Sequence, residues 1–152
     1  MGARRRPRAR PHGAADLEPD GPVTGDAATW VVAALELVAA AAIAAFWLTW
    51  SREPHDEPWL PTGYVEHEQV FMFPDTVLAI TLVASAVLLV LEEPLGGSLA
   101  LVAAGMLTFL GVIDLAYFAK HGMFALERGG LVNAGIVFGV LLLAAILAWR
   151  HS

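Results

Sequence analysis

The sequence predicts an all-α fold, a polytopic membrane protein whose four transmembrane helices form a bundle behind a disordered N-terminal tail. Only 16% of the 152 residues are charged, whereas a soluble domain carries roughly a quarter, and the mean hydropathy is +0.62. Four segments are each apolar over the ~20 residues that cross a bilayer. None of them shows the polar face that a helix of a soluble protein presents to water.

The predicted tail covers residues 1–26. Five of the nine Lys and Arg residues lie within residues 1–10, and four acids follow among Pro and Gly in residues 14–26. A segment of this composition has no apolar periodicity with which to build a core, so it is expected to be disordered and cytoplasmic. Its arginines are interpreted as a topology signal or a contact to anionic lipid headgroups. No nucleic-acid binding is predicted.

Residues 27–152 form the predicted transmembrane domain, with spans at about 30–50, 70–91, 98–118 and 131–149. Pro74 suits the first turn of the second span, because the N–H that proline lacks has no partner there. Gly96–Gly97 and Gly129–Gly130 are expected to break the chain before the third and fourth spans. Because backbone groups cannot stay unpaired in lipid, the spans are predicted to be helices.

The distribution of Lys and Arg predicts the orientation. The tail holds five arginines, whereas loop 51–69 holds only Arg52 and loop 119–130 holds Lys120 and Arg128. Since cytoplasmic segments are enriched in Lys and Arg, both termini are predicted inside and both loops outside. The chain is rich in Ala and Gly and uses Arg over Lys, which indicates a GC-rich bacterial source. The predicted location is therefore a bacterial plasma membrane.

Glu36 is an acid within the first span. Acids at membrane depth are costly and point to function. Its neighbours one helical turn away are Val32, Ala33, Ala39 and Ala40, a face on which another helix can pack closely. Glu36 is therefore expected to point into the bundle. It is interpreted either as a carboxylate that exchanges protons or cations, or as an acid that is hydrogen-bonded to a neighbouring helix.

A second polar group is predicted near the outer surface. Asp114, Tyr117 and His121 share one face of the third span, Asn133 enters the fourth span at a similar depth, and Asp75 opens the second span on the same side. These five side chains are a candidate ligand or proton site. In the alternative interpretation, Asp75 is an acid favoured by the helix dipole, and Asp114 and Asn133 join helices by hydrogen bonds.

The first outer loop contains residue types that bind transition metals, namely His55, Glu66, His67 and Glu68. Their spacing matches no recognised ligand pattern, so neither a metal nor a cofactor is predicted. The sequence has no cysteine, which excludes disulfides, Cys-ligated zinc and iron–sulfur clusters.

Gly135 and Gly139 form a GxxxG pair, a spacing that allows close helix contact. It predicts tight packing, with a homodimer or another membrane protein as the partner besides the bilayer itself.

The stretches Phe71–Asp75 and Asp114–Phe118 resemble small four-helix bacterial integral membrane proteins of unknown function, and the resemblance covers residues 28–150. It implies an integral membrane protein without an assigned activity, and no catalytic residue is carried over from it.

The sequence contains no phosphate loop, nucleotide fingerprint or nucleophile elbow, so no enzyme is predicted. The leading hypothesis is a plasma-membrane protein without catalytic activity, acting as a subunit or a small-ligand binder through the outward-facing cluster. The alternative is a proton-coupled small-molecule transporter with Glu36 or Asp114 as the titrating carboxylate. A membrane enzyme acting through Asp114 and His121 is a third hypothesis that no motif supports.

Overall fold

The structure, a computed structural model, describes residues 26–152, so the predicted tail and its arginines lie outside the described residues. The helices are α1 (Ala27–Trp50), α2 (Tyr64–Gln69), α3 (Met72–Val90), α4 (Pro94–His121) and α5 (Gly130–His151), with a 3₁₀ helix at Leu126–Arg128. The described residues contain no strand, which confirms the all-α fold. Four stretches are long and apolar enough to cross a membrane. They are α1, the stretch Tyr64–Val90 that contains both α2 and α3, then α4, and finally α5.

The second span begins earlier than predicted, because residues 64–69 of the expected outer loop are helical. Helical hydrogen bonding is interrupted between α2 and α3, at Val70 and Phe71. Pro74 explains this interruption, since it has no N–H to donate to the carbonyl of Val70 and its ring crowds that carbonyl. The prediction that Pro74 lies in the first turn of its helix is confirmed.

The predicted break at Gly96–Gly97 is wrong, because α4 already begins at Pro94. Proline is favoured at this first helical position, where its missing N–H would have had no partner. Gly96 instead allows the start of α4 to approach the end of α3 closely, since a Cβ built on it would lie 2.7 Å from the backbone nitrogen of Leu89. The break before the last span is confirmed: Gly129 has a φ of 72°, and α5 follows it directly.

Contacts at the helix ends establish an antiparallel bundle. At one end, here called the Asp26 end, Arg150 of α5 lies 3.2 Å from the carboxylate of Asp26, which caps α1. At the other, the Asp75 end, the C-terminal turns of α1 meet the first turn of α3. The hydroxyl and then the backbone N–H of Thr29, both donating to Asp26, hold the pKa of that carboxyl below its usual value, and Arg150 lowers it further.

The helices pack in chain order, α1 on α3, α3 on α4 and α4 on α5. Half of the buried apolar core consists of alanine, which lets helix backbones approach closely. Its members are Val32, Ala40, Leu78, Leu82, Ala100, Ala103, Ala104, Leu107, Ala144 and Leu147. Long apolar side chains point away from the bundle, among them Phe109 and Phe138. The outer surface is therefore apolar, and the interior is built largely from small residues.

Replacing Gly96 by Ala is expected to lower the free energy of unfolding by about 1–3 kcal/mol, because the new methyl group meets backbone atoms that cannot move independently. The contacts are the nitrogen of Leu89 at 2.7 Å and the carbonyl carbon of Leu88 at 2.9 Å. Gly105→Ala is the matched control on the same helix, where nothing lies within 4 Å. Unfolding of both variants in detergent checks the prediction, and equal stabilities would contradict it.

Candidate functional site

A cavity of about 420 Å³ lies between α1 and α5. Small or apolar side chains form most of its wall, among them Ala39 and Ala42 of α1 and Gly135 and Gly139 of α5. Both glycines are exposed, and a Cβ added to either would meet no atom within 4 Å. The cavity is therefore a cleft in the side of the bundle, and its width results from the small residues on the two facing helices.

Three acids line this cavity: Glu68 of α2, Asp75 of α3 and Asp114 of α4. They lie together because α2, the start of α3 and the last turns of α4 all meet at the Asp75 end. Asp75 is only 8% exposed, and its Oδ2 accepts a hydrogen bond of 2.9 Å from the indole Nε1 of Trp47. The structure thus brings Asp75 and Asp114, both predicted as site residues, to one cavity.

Tyr117 and His121 lie further along α4 and belong to an aromatic cluster, whereas the cavity wall does not include them. The Tyr117 ring stacks on His67 with a centroid distance of 3.9 Å and an interplanar angle of 8°. The His121 ring lies 4.5 Å from the Tyr117 ring, and the Tyr64 ring stacks on Tyr117 at a longer centroid distance of 6.4 Å. The predicted polar stripe on α4 therefore divides between two environments.

Asn133 is also separate from the cavity wall. Its side-chain nitrogen donates a hydrogen bond of 2.7 Å to the backbone oxygen of Met123, in the segment between α4 and α5. This contact satisfies a backbone acceptor near the start of α5 and fixes the connecting segment. The contact is structural, but it joins α5 to the connecting segment and not to another helix, so it differs from the predicted helix-to-helix hydrogen bond.

Glu36 forms a different polar centre, buried between α1, α3 and α4. Its side chain is 0% exposed, and its Oε1 lies 2.8 Å from the hydroxyl of Ser85, which also lies 3.1 Å from the carbonyl oxygen of Gly96. A serine hydroxyl has a single proton. The two acceptors therefore share that proton in a three-centre hydrogen bond, with the shorter distance to Oε1 of Glu36.

The other oxygen of Glu36, Oε2, is buried and has no hydrogen-bond partner among the described residues. Glu36 is not part of the wall of the acidic cavity, so Glu36 and Asp114 do not share it. The prediction that Glu36 points into the bundle is confirmed by its complete burial.

The metal-binding residue types of the outer loop are dispersed. His55 stacks on Trp50 at 3.7 Å, and its Nε2 lies 3.1 Å from the Trp50 carbonyl oxygen. His67 belongs to the aromatic cluster, and Glu68 lines the acidic cavity. Glu66 lines a surface depression whose wall also includes His55. Within residues 26–152, no group of three or more His, Asp or Glu side chains is arranged to hold a metal ion.

Sequence reasoning missed two contributors to the site. Glu68 lies in the predicted outer loop, although its position seven residues before Asp75 is a spacing that places two helical residues on one face. Trp47 was not recognised as a hydrogen-bond donor to Asp75, because no sequence pattern relates residues that lie on different helices.

The chain was also compared with known proteins. No family model matches it, and no curated protein and no solved structure is significantly similar to it.

Proposed function

We propose that the protein is a multi-pass membrane protein that binds a small amphiphilic ligand in the cavity between α1 and α5 and has no catalytic activity of its own. The observation that carries this proposal is the cavity itself, an apolar cleft with polar groups confined to one end. Binding sites for small molecules are concave and mostly apolar, with a few polar groups that orient the ligand.

A membrane environment is supported by the outer surface of the bundle. Phe73, Phe109, Leu131, Phe138 and Trp149 are each between 67% and 84% exposed. Exposed apolar surface of this extent is unfavourable in water and is typical of contact with lipid or another protein. We propose a bacterial plasma membrane, with the Asp26 end in the cytoplasm and the Asp75 end, which carries the acidic cavity, facing outward.

Single-cysteine variants test this orientation, because the natural sequence contains no cysteine. A membrane-impermeant maleimide is expected to label Glu53→Cys in intact cells, since residue 53 is exposed at the Asp75 end. Ser152→Cys should react only after the cells are permeabilised. The opposite labelling pattern would reverse the proposed topology, and equal labelling of both in intact cells would contradict a membrane-spanning bundle.

Filling the cavity tests the proposed binding function. Gly139→Leu places an isobutyl group in the cleft, and Gly105→Leu is its control, because both glycines have open space at Cβ but only Gly139 lines the cavity. Mass spectrometry of protein extracted from its own membranes is expected to find a small molecule bound to the natural protein and to Gly105→Leu. The same molecule should be lost from Gly139→Leu.

Two results of this experiment would contradict the binding proposal. One is an identical set of bound molecules in both variants. The other is a dimer that dissociates in Gly139→Leu without the loss of any small molecule, which would make Gly135 and Gly139 a contact for a second copy of the chain.

We also propose, as a second candidate, proton-coupled transport of the ligand with Asp114 as the titrating carboxylate. The observation that favours it is that Asp114 lines the cavity and accepts no side-chain hydrogen bond from the described residues, so its carboxyl group is free to exchange a proton with the cavity.

In proteoliposomes, the copurifying molecule should drive proton flux that Asp114→Asn abolishes. Glu36→Gln should retain the flux, because Gln keeps the acceptor for Ser85 and lies outside the cavity wall. Loss of flux in Glu36→Gln alone would assign the coupling to Glu36.

A further inference from the structure

The two ends of the cavity differ in chemistry. The part toward the middle of the bundle is formed by side chains such as Leu107, Val140 and Leu143. The part at the Asp75 end presents Glu68, Asp75 and Asp114, and no Lys, Arg or His is among the described residues that line the cavity. The acids therefore have no cationic partner within the cavity wall.

Asp75 shows that this acidic end is incompletely paired. Its side chain is more than nine-tenths buried, and it lines the cavity. Trp47 donates to Oδ2, which leaves Oδ1 without a hydrogen bond from a described side chain. Three carboxyl groups that line one cavity without a cation oppose each other's ionisation. A ligand that brings positive charge to this position would favour the charged form of these acids.

We propose that the ligand is a lipophilic cation, a slender apolar molecule with one positively charged head. This inference rests on the proposed binding function and adds the ligand class. The apolar part occupies the space between α1 and α5, and the head lies between Asp75 and Asp114, where opposite charges attract more strongly than in bulk water because the cavity wall is largely apolar. An anionic amphiphile would be repelled at this end. A neutral one, or an inserted apolar helix, would leave the acids without a partner.

Three amphiphiles with the same chain test the charge: decyltrimethylammonium, the neutral decyldimethylphosphine oxide and the anionic decyl sulfate. Equilibrium dialysis uses the full chain in phosphatidylcholine nanodiscs, with empty nanodiscs subtracted to remove partitioning into lipid. Saturable binding is expected for the ammonium compound only. Asp114→Asn should weaken it by about tenfold or more, the effect of losing one charge-assisted contact. Gly139→Leu should abolish it, and Gly105→Leu should leave it unchanged.

The outcomes separate this inference from the binding function on which it rests. Equal binding of the ammonium and phosphine oxide compounds, both lost in Gly139→Leu, would overturn the cation while supporting a ligand-binding cavity. Preference for decyl sulfate would do the same. If no probe binds saturably, the inference fails. The binding function then fails with it only when the protein extracted from its membranes also carries no molecule that Gly139→Leu removes.

Discussion

The arrangement of this bundle depends on a few hydrogen bonds between polar side chains that lie buried among apolar helices. Where α1, α3 and α4 meet, the buried Ser85 hydroxyl donates to both the Glu36 carboxyl and the Gly96 carbonyl oxygen. At the opposite end, Trp47 of α1 reaches Asp75 of α3. Each contact fixes the rotation and the axial position of one helix against another, which apolar packing alone specifies less strictly.

Small residues explain both the packing and the cavity. Where alanines of neighbouring helices face each other across a close contact, as in the core around Ala100 and Ala103, the backbones approach and no space remains. Between α1 and α5 the same kind of residue has the opposite effect, because these two helices are not among the pairs that pack closely on each other. Ala42 and Gly139 therefore border an open cleft. The acids around it meet because three different elements end at the same place.

Individual residues show why some predictions from the sequence were confirmed and others were wrong. Pro74 and Gly129 act through local backbone chemistry, so their effects could be predicted from their positions. The sequence predicts a helix break at Gly96, but this glycine instead makes a close contact with the end of α3. Such a contact depends on tertiary packing and not on local backbone chemistry. Asn133 and Asp114 are polar residues at similar depth in neighbouring helices. Asn133 pairs with a backbone carbonyl, whereas Asp114 lines a cavity, because the rotation of their helices points the two side chains to different places.

By itself, the sequence determined that the chain is helical and that four stretches are long and apolar enough to cross a membrane. These properties follow from composition and from the length of apolar segments, which act locally along the chain. It also identified Glu36 and Asp114 as acids within apolar spans and Asp75 as an acid at the start of one. Only the tertiary structure decided which of them share a site: Asp75 and Asp114 meet Glu68 in one cavity, while Glu36 lies elsewhere with Ser85. Residues far apart in sequence meet only when helices take one rotation and one register, and no local pattern encodes that choice.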